Sequence, residues 1–498
     1  MIELTFYGGV REIGGTKILL RSDGGSVFID FGKDFSLESA YFEEPWNPPF
    51  YIPSLQGIGA LPPIDGLYRL NPGRPVDGVV ISHAHLDHCG HIPLLSPQIP
   101  VYAGRDTKEL ILIRSETYNR GWTNDFSLTD WRTFRTGDVV QVEGTGINFM
   151  PIHVDHSVPA SYGFIIEAGG RKLAYTGDLR MHGRHPRMTE DFLGALRVNK
   201  IDTLICEGTN AASEGRDPDA ELLAHMGDVF RQHMGDAAPQ AISVPCSIEA
   251  DVEAGLQDVI SRSKGLVLVE VAPIDLNRVW SVCRAARAAG RIPVVPTRLG
   301  YIIMQATRRS CIQDLPAVDG MGLYLSQLKK HADRRSAGDP PDAEELLTGR
   351  REWEQRLALG WLRSRGMLVG LPEGREAIRD NAGLFVICSP QVVNLLPELC
   401  YGGGTFPVTF ILSKIGPFDP QMAVSFDKLL HWLALYGCCN YYQIHTSGHA
   451  SMDDLARVIE AANPDRLIPV HTHHPETFER LHGNVLSEIE VGRPVAIG

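Results

Sequence analysis

Residues 81–91 read ISHAHLDHCGH, an apolar run that leads straight into His83, His85, Asp87 and His88. Three imidazoles and a carboxylate packed this densely have no place in a hydrophobic core, where each would need its own partner. They suit a metal. Zinc takes histidine nitrogens and carboxylate oxygens, and a turn that leaves a strand directs neighbouring side chains toward two ions a few ångströms apart. The feature therefore calls for a β-rich scaffold whose strand ends open onto a site.

The surrounding pattern agrees. Up to Thr209 the chain runs in short strand-like stretches, including IELTFYGG, TKILLRS, SVFIDFG, GINFMPIHV, SYGFIIEAGG, RKLAYTGD and TLICEGT, separated by Gly, Asp and Pro. A Pro- and Gly-rich excursion from Glu43 to Pro75 reads as a long surface loop. From about Asn210 helical segments with apolar residues at i, i+3 and i+4 alternate with strands that are largely continuous apolar runs such as GLVLVEV, which predicts a parallel α/β domain. The charged segment HADRRSAGDPPDAEELLTGRREWEQR reads as a solvated loop and helix face. At 498 residues and 43% hydrophobic, the chain has material for about two to three domains.

Composition narrows the function. The start MIELTFYGG has neither a basic stretch nor an apolar signal region, and no apolar run reaches the roughly 18 residues of a membrane helix, so a cytoplasmic protein without membrane attachment is expected. Nine cysteines without a CxxC pair read as reduced thiols, mostly buried. The formal charge of -13 excludes a generic basic coat, although phosphate neutralisation is the main source of nucleic-acid affinity. A local basic cleft is still compatible with it, and two divalent cations would offset acidity at the site.

HAHLDH resembles the defining motif of the metallo-β-lactamase superfamily, and its companions follow in order: Asp30 in VFIDFG, His156 in VDHSVPAS, Asp178 in YTGDLR and His471 in LIPVHTHH. The resemblance implies one metal held by His83, His85 and His156, another by Asp87, His88 and His471, and Asp178 bridging them. It makes Asp30 the residue that orients a ligand imidazole. HTSGHAS, residues 445–451, is similar to the HxSGHA signature of the β-CASP group, to which RNase J belongs. There the histidine matching His449 acts near the leaving group and is contacted by an acidic residue, here Glu207. Ser447, the Gly448 amide and His445 could then bind phosphate oxygens.

The resemblance thus implies an α/β protein: an αββα metallo-β-lactamase sandwich with an inserted β-CASP α/β domain. Its parts would be 1–209, 210–410 and 411–498, the first and last forming one domain. The activity implied is a metal-dependent ribonuclease, with Asp87, His449 and Glu207 as the catalytic residues. Its cofactors would be two divalent ions, zinc from the His-rich set, with manganese compatible. Single-stranded RNA is the expected partner, because a histidine at the position of His471 goes with RNA substrates in this group and valine with DNA enzymes. A DNA nuclease and a small-molecule ester or lactone hydrolase are the alternatives, and homo-oligomerisation stays open. Where RNase J-like chains carry a TGSQGEP-like segment, this one has ICSPQVV, residues 387–393, so terminal phosphate recognition is not implied. Little chain follows the PVH segment, so the extra C-terminal domain of many RNase J proteins is not expected.

Overall fold

The computed structural model describes the chain except residues 1, 44–46, 50, 119–120, 212–217, 327–346, 348–349, 370–377, 379, 400–406, 418–419 and 498. Two compact units result, Met1–Arg216 with Gly448–Gly498, and Asp217–Ser447.

In the first unit the described strands form two sheets. One runs in the spatial order Pro494–Ala496, Glu3–Phe6, Ile18–Ser22, Gly25–Ile29, Gly78–Ile81, Pro100–Gly104 and Asp130–Phe134. The other runs Arg466–Val470, Thr203–Glu207, Arg171–Tyr175, Ser161–Ala168, Asn148–Val154 and Val140–Gln141. Strand side chains alternate between faces, and here that period sorts the apolar residues. Leu4, Phe6, Ile18, Leu20, Val27 and Ile29 pack with Phe149, Phe164, Ile166, Leu173 and Ile205 of the second sheet in one core. Leu19, Phe28 and Val79 point the other way and are also buried, so the first sheet is covered on both faces. On the second sheet, helices Pro186–Val198 and Met452–Ala462 supply Phe192, Leu193, Leu196, Leu455, Val458 and Ile459 to an outer core. These are the layers of an αββα sandwich.

The second unit is a parallel sheet with the order Ala241–Val244, Cys438–Ile444, Val408–Ser413, Leu266–Val271, Phe385–Ser389, Ile292–Pro296, Gly322–Tyr324 and Met367–Val369. Every residue of Leu266–Val271 is buried, as a central strand flanked by helices on both faces requires. The sheet order carries this unit past residue 410. Val408–Ser413 pairs with both Leu266–Val271 and Cys438–Ile444, so these two strands belong to the second sheet, although the sequence predicts a return to the first domain from residue 411. The charged segment lies largely outside the described residues, but helix Glu352–Arg363, which begins within it, buries Leu357, Ala358 and Trp361. No described helix is long and apolar enough to cross a membrane, and no disulfide joins the described cysteines.

One buried ion pair holds the ends of this second sheet. Asp275 caps helix Leu276–Ala288 by accepting from the Arg278 amide at 2.9 Å. The Arg278 side chain, fully buried, grips Glu249 through Nε–Oε1 at 2.8 Å and Nη2–Oε2 at 2.9 Å, and donates to the Ser413 carbonyl at 2.9 Å. Removing one partner strands the other charge in the interior. Glu249→Ala is expected to lower unfolding stability by about 3–5 kcal/mol in urea titrations, whereas Glu249→Leu with Arg278→Met should cost clearly less.

Candidate metal centre

The first unit brings the expected metal ligands together at the carboxyl ends of its strands. His83 follows Gly78–Ile81, His156 follows Asn148–Val154, Asp178 follows Arg171–Tyr175, and His471 follows Arg466–Val470. His85 caps the short helix Leu86–Cys89 that carries Asp87 and His88. Two close approaches shape the turns. A Cβ on Gly32 would meet the Asp87 carbonyl oxygen at 1.6 Å, and Gly177, at φ +55°, lets the chain pass the Tyr162 carbonyl just before Asp178. Asp30 and His471 also sit at positive φ, 58° and 55°, a conformation that costs non-glycine residues about 1–3 kcal/mol and is kept where the surroundings over-determine it.

Asp178 is the centre of the cluster. Its Oδ2 lies 3.3 Å from His88 Nε2, 3.6 Å from His83 Nε2, 3.8 Å from His156 Nε2 and 4.0 Å from His471 Nε2. His85 Nδ1 lies 3.1 Å from both His83 Nε2 and His156 Nε2, and His471 Nε2 lies 3.1 Å from Asp87 Oδ2. Among the described residues three groups could hold a cation: His83, His85, His156 and Asp178; Asp87, His88 and His471; and Asp178, Glu207, His449 and His471, which shares its Asp178 and His471 with the first two. A tetrahedral zinc with bonds of about 2.0–2.1 Å keeps its donors about 3.3 Å apart, which these separations approach. Both Asp178 oxygens and His88 Nε2 are buried without a hydrogen-bond partner, a costly arrangement unless a cation supplies the missing contacts. The donor set fits a metal.

The outer nitrogens are tied back, which turns the inner ones toward the site. Asp30 accepts from the Ser82 amide and Oγ, each at 2.7 Å, and from Tyr175 OH at 2.8 Å, and holds His88 Nδ1 at 2.8 Å. Ser82 Oγ meets His83 Nδ1 at 3.0 Å, and the Gly448 carbonyl meets His156 Nδ1 at 2.6 Å. Burial pushes His83 and His156 well below the usual histidine range and His85 down to about 4, leaving lone pairs for a metal. For His88, burial is outweighed by Asp178, Asp30 and Asp87, which hold it well above that range. Three carboxylates thus require positive charge at this point.

Beside the cluster stands the expected pair. His449 Nδ1 is 3.1 Å from Glu207 Oε2 and 3.8 Å from Asp178 Oδ2. Glu207 ends strand Thr203–Glu207 and also accepts from the Leu179 amide at 2.8 Å. Burial pulls His449 down, but Glu207, with Asp178 and Asp87, lifts it to about 9. Asn210 Nδ2 fixes the loop by donating to the carbonyls of His449 and Ala450 at 2.9 and 3.0 Å. His445 and Ser447 belong to the second unit, where Arg278 Nη1 lies 3.2 Å from His445 Nδ1.

The histidines nearest the ligands in sequence go elsewhere: His153 stacks on Tyr162, His473 Nδ1 meets the Arg11 carbonyl, and His474 pairs with Glu476. Arg180, two residues past Asp178, is fully buried against Asp155. Sequence reasoning passed over Ser82, Tyr175, Thr209 and Arg114. Arg114 Nη1 donates to the Ala84 carbonyl at 2.7 Å and so holds the HAHLDH turn. A hydroxyl adjacent to His83 and another two residues past Glu207 were the available signals.

Two stacked sheets whose strand ends deliver a buried His and Asp set define a metallo-hydrolase scaffold. Known proteins agree: residues 60–241 match a family described as a Beta-lactamase superfamily domain, and 439–480 match a Zn-dependent metallo-hydrolase RNA specificity domain. Ribonuclease J of Mycolicibacterium smegmatis is 23% identical, covering 99% of this chain and 72% of the relative, and Ribonuclease J of Pyrococcus abyssi is 23% identical, covering 99% and 96%. A crystal structure of an Enterococcus faecalis protein of unknown function shares the fold with a TM-score of 0.66, at 22% identity over 99% of each chain. The chain is thus similar to the beta-lactamase superfamily over residues 60–241 and to Ribonuclease J proteins over 99% of its length.

Proposed function

We propose that this protein is a metal-dependent ribonuclease that hydrolyses RNA phosphodiester bonds. The observation that carries the reading is the His449–Glu207 pair, 3.1 Å apart and set beside the Asp178-centred cluster, because a metallo-hydrolase of phosphodiesters needs a proton donor for its leaving oxygen. The names of the relatives and of the matched C-terminal domain support RNA as the polymer. His83, His85 and His156 would hold one ion and Asp87, His88 and His471 the other, with Asp178 between the two sets. When bound, two divalent cations, zinc for this His-rich set with manganese as the alternative, supply acidified water as nucleophile and positive charge against the phosphate oxygens.

The chain's own groups do the rest. Glu207 keeps His449 oriented and protonated, so its imidazolium delivers a proton to the departing oxygen. Asp30 holds His88 directly and His83 through Ser82, which removes the need to reorganise ligands during turnover. On the HTSGHAS signature alone, His445, Ser447 and the Gly448 amide are assigned to phosphate oxygens.

The test is cleavage of end-labelled single-stranded RNA and DNA of one sequence, with zinc or manganese added after chelation. RNA should be cut and DNA spared, with activity lost on chelation and restored by metal. Cutting of DNA alone would move the reading to a DNA nuclease, and inertness toward both polymers would end the phosphodiesterase reading.

A further inference from the structure

The site uses one device twice. Ser82 Oγ stands between a carboxylate and an imidazole, donating to Asp30 Oδ2 at 2.7 Å while meeting His83 Nδ1 at 3.0 Å. Thr209 Oγ1 stands the same way on the other side of the cluster. It donates to Glu207 Oε2 at 2.9 Å and meets His471 Nδ1 at 2.8 Å and His449 Nδ1 at 3.0 Å. Gly208 allows the tight turn that places it there, since a Cβ at that position would lie 2.7 Å from the Phe478 ring.

Counting protons decides what the contacts mean. A hydroxyl has one hydrogen to give and two lone pairs to receive with, and a carboxylate only receives. The Thr209 proton therefore goes to Glu207, and both lone pairs face imidazole N–H groups. Both His471 and His449 are consequently held with the proton on Nδ1. For His471 this frees the Nε2 lone pair, which lies 3.1 Å from Asp87 Oδ2 and 4.0 Å from Asp178 Oδ2, where the ligand atoms converge. For His449 it leaves Nε2 as the nitrogen that can take up and release a proton.

We propose that Thr209 is a positioning residue whose single hydroxyl receives the Nδ1 hydrogens of both His471 and His449, fixing the tautomer of His471 and, together with Glu207 Oε2 at 3.1 Å, the orientation of His449, and so ties metal retention to proton delivery. Its hold on His449 rests on the acid role given to that residue above, whereas its hold on His471 requires only that the cluster bind metal.

The experiment compares Thr209→Val, which keeps the shape and loses the oxygen, with Thr209→Ser, which keeps the oxygen. Zinc affinity is measured by chelator competition, and kcat and KM are measured at saturating metal on RNA and on bis(p-nitrophenyl) phosphate, whose leaving group needs no acid. Thr209→Val is expected to weaken zinc binding about 10-fold or more, the usual effect of losing a group that orients a ligand histidine. It should lower kcat on RNA more than on the activated diester, and Thr209→Ser should recover most of both. Wild-type zinc affinity with equal treatment of the two substrates in Thr209→Val overturns the proposal, as does a serine variant as impaired as the valine one. If zinc binding falls in Thr209→Val while the wild type cuts no RNA, the hold on His471 stands and the ribonuclease reading fails.

Discussion

Asp178→Ala should leave a protein that cuts RNA on the order of 10⁴-fold more slowly than wild type, because removing a member of a catalytic unit costs about as much as losing the unit's concerted action. Its Oδ2 lies within 4.0 Å of four ligand nitrogens, those of His83, His88, His156 and His471, so no neighbouring side chain can replace it. The loss should also appear without any substrate. A ligand that binds only the folded state stabilises it by about 2.7 kcal/mol when free ligand is 100 times its Kd, so zinc should raise the thermal midpoint of the wild type. In Asp178→Ala at the same zinc concentration that shift should largely vanish. A variant that still gains the full shift and still cuts RNA would show that the Asp178 oxygens do not hold the metal.

Much of this centre was legible in the sequence because metal ligands are chemically conspicuous. His83, His85, Asp87 and His88 stand out as polar residues directly after an apolar strand, and the family resemblance led from them to His156, Asp178 and His471. The groups that aim those ligands were not conspicuous. Ser82, Thr209 and Tyr175 are residue types common in any β-rich chain, and only three-dimensional proximity shows that each hydroxyl reaches a particular carboxylate. Arg180 and Arg278 stand in polar sequence, GDLRMHGR and IDLNR, that gives no hint of burial, yet both side chains are fully buried against acids. The positive φ of Asp30 and His471 leaves no mark in the residue pattern either, since neither is glycine.

The fold was readable at the level of layers and less so at its seams. Short strand-like stretches split by Gly, Asp and Pro in the first unit, and strands such as LVLVEV set between helical segments in the second, distinguish a packed sandwich from a parallel α/β sheet. A seam depends on which strand a segment pairs with. Val408–Ser413 is an apolar strand of a kind found in either unit, and its placement follows from its parallel pairing with Leu266–Val271.

His449→Ala separates proton delivery from metal binding. General acid catalysis contributes about 10²–10⁴-fold, so RNA cleavage should fall by that factor while zinc binding stays near that of the wild type, since His449 is outside both proposed ligand sets. On bis(p-nitrophenyl) phosphate the variant should lose far less. Glu207→Gln tests the same pair through pH. Burial alone would depress the His449 imidazole, and Glu207 is the largest influence raising it, to about 9. The protonated form is the donor, so activity is present below that pKa and falls as pH rises through it. Replacing the carboxylate with a neutral amide removes the raising charge, and the alkaline limb of the rate profile should move to lower pH. An unmoved limb, together with equal losses on both substrates in His449→Ala, would assign the proton transfer to some other group.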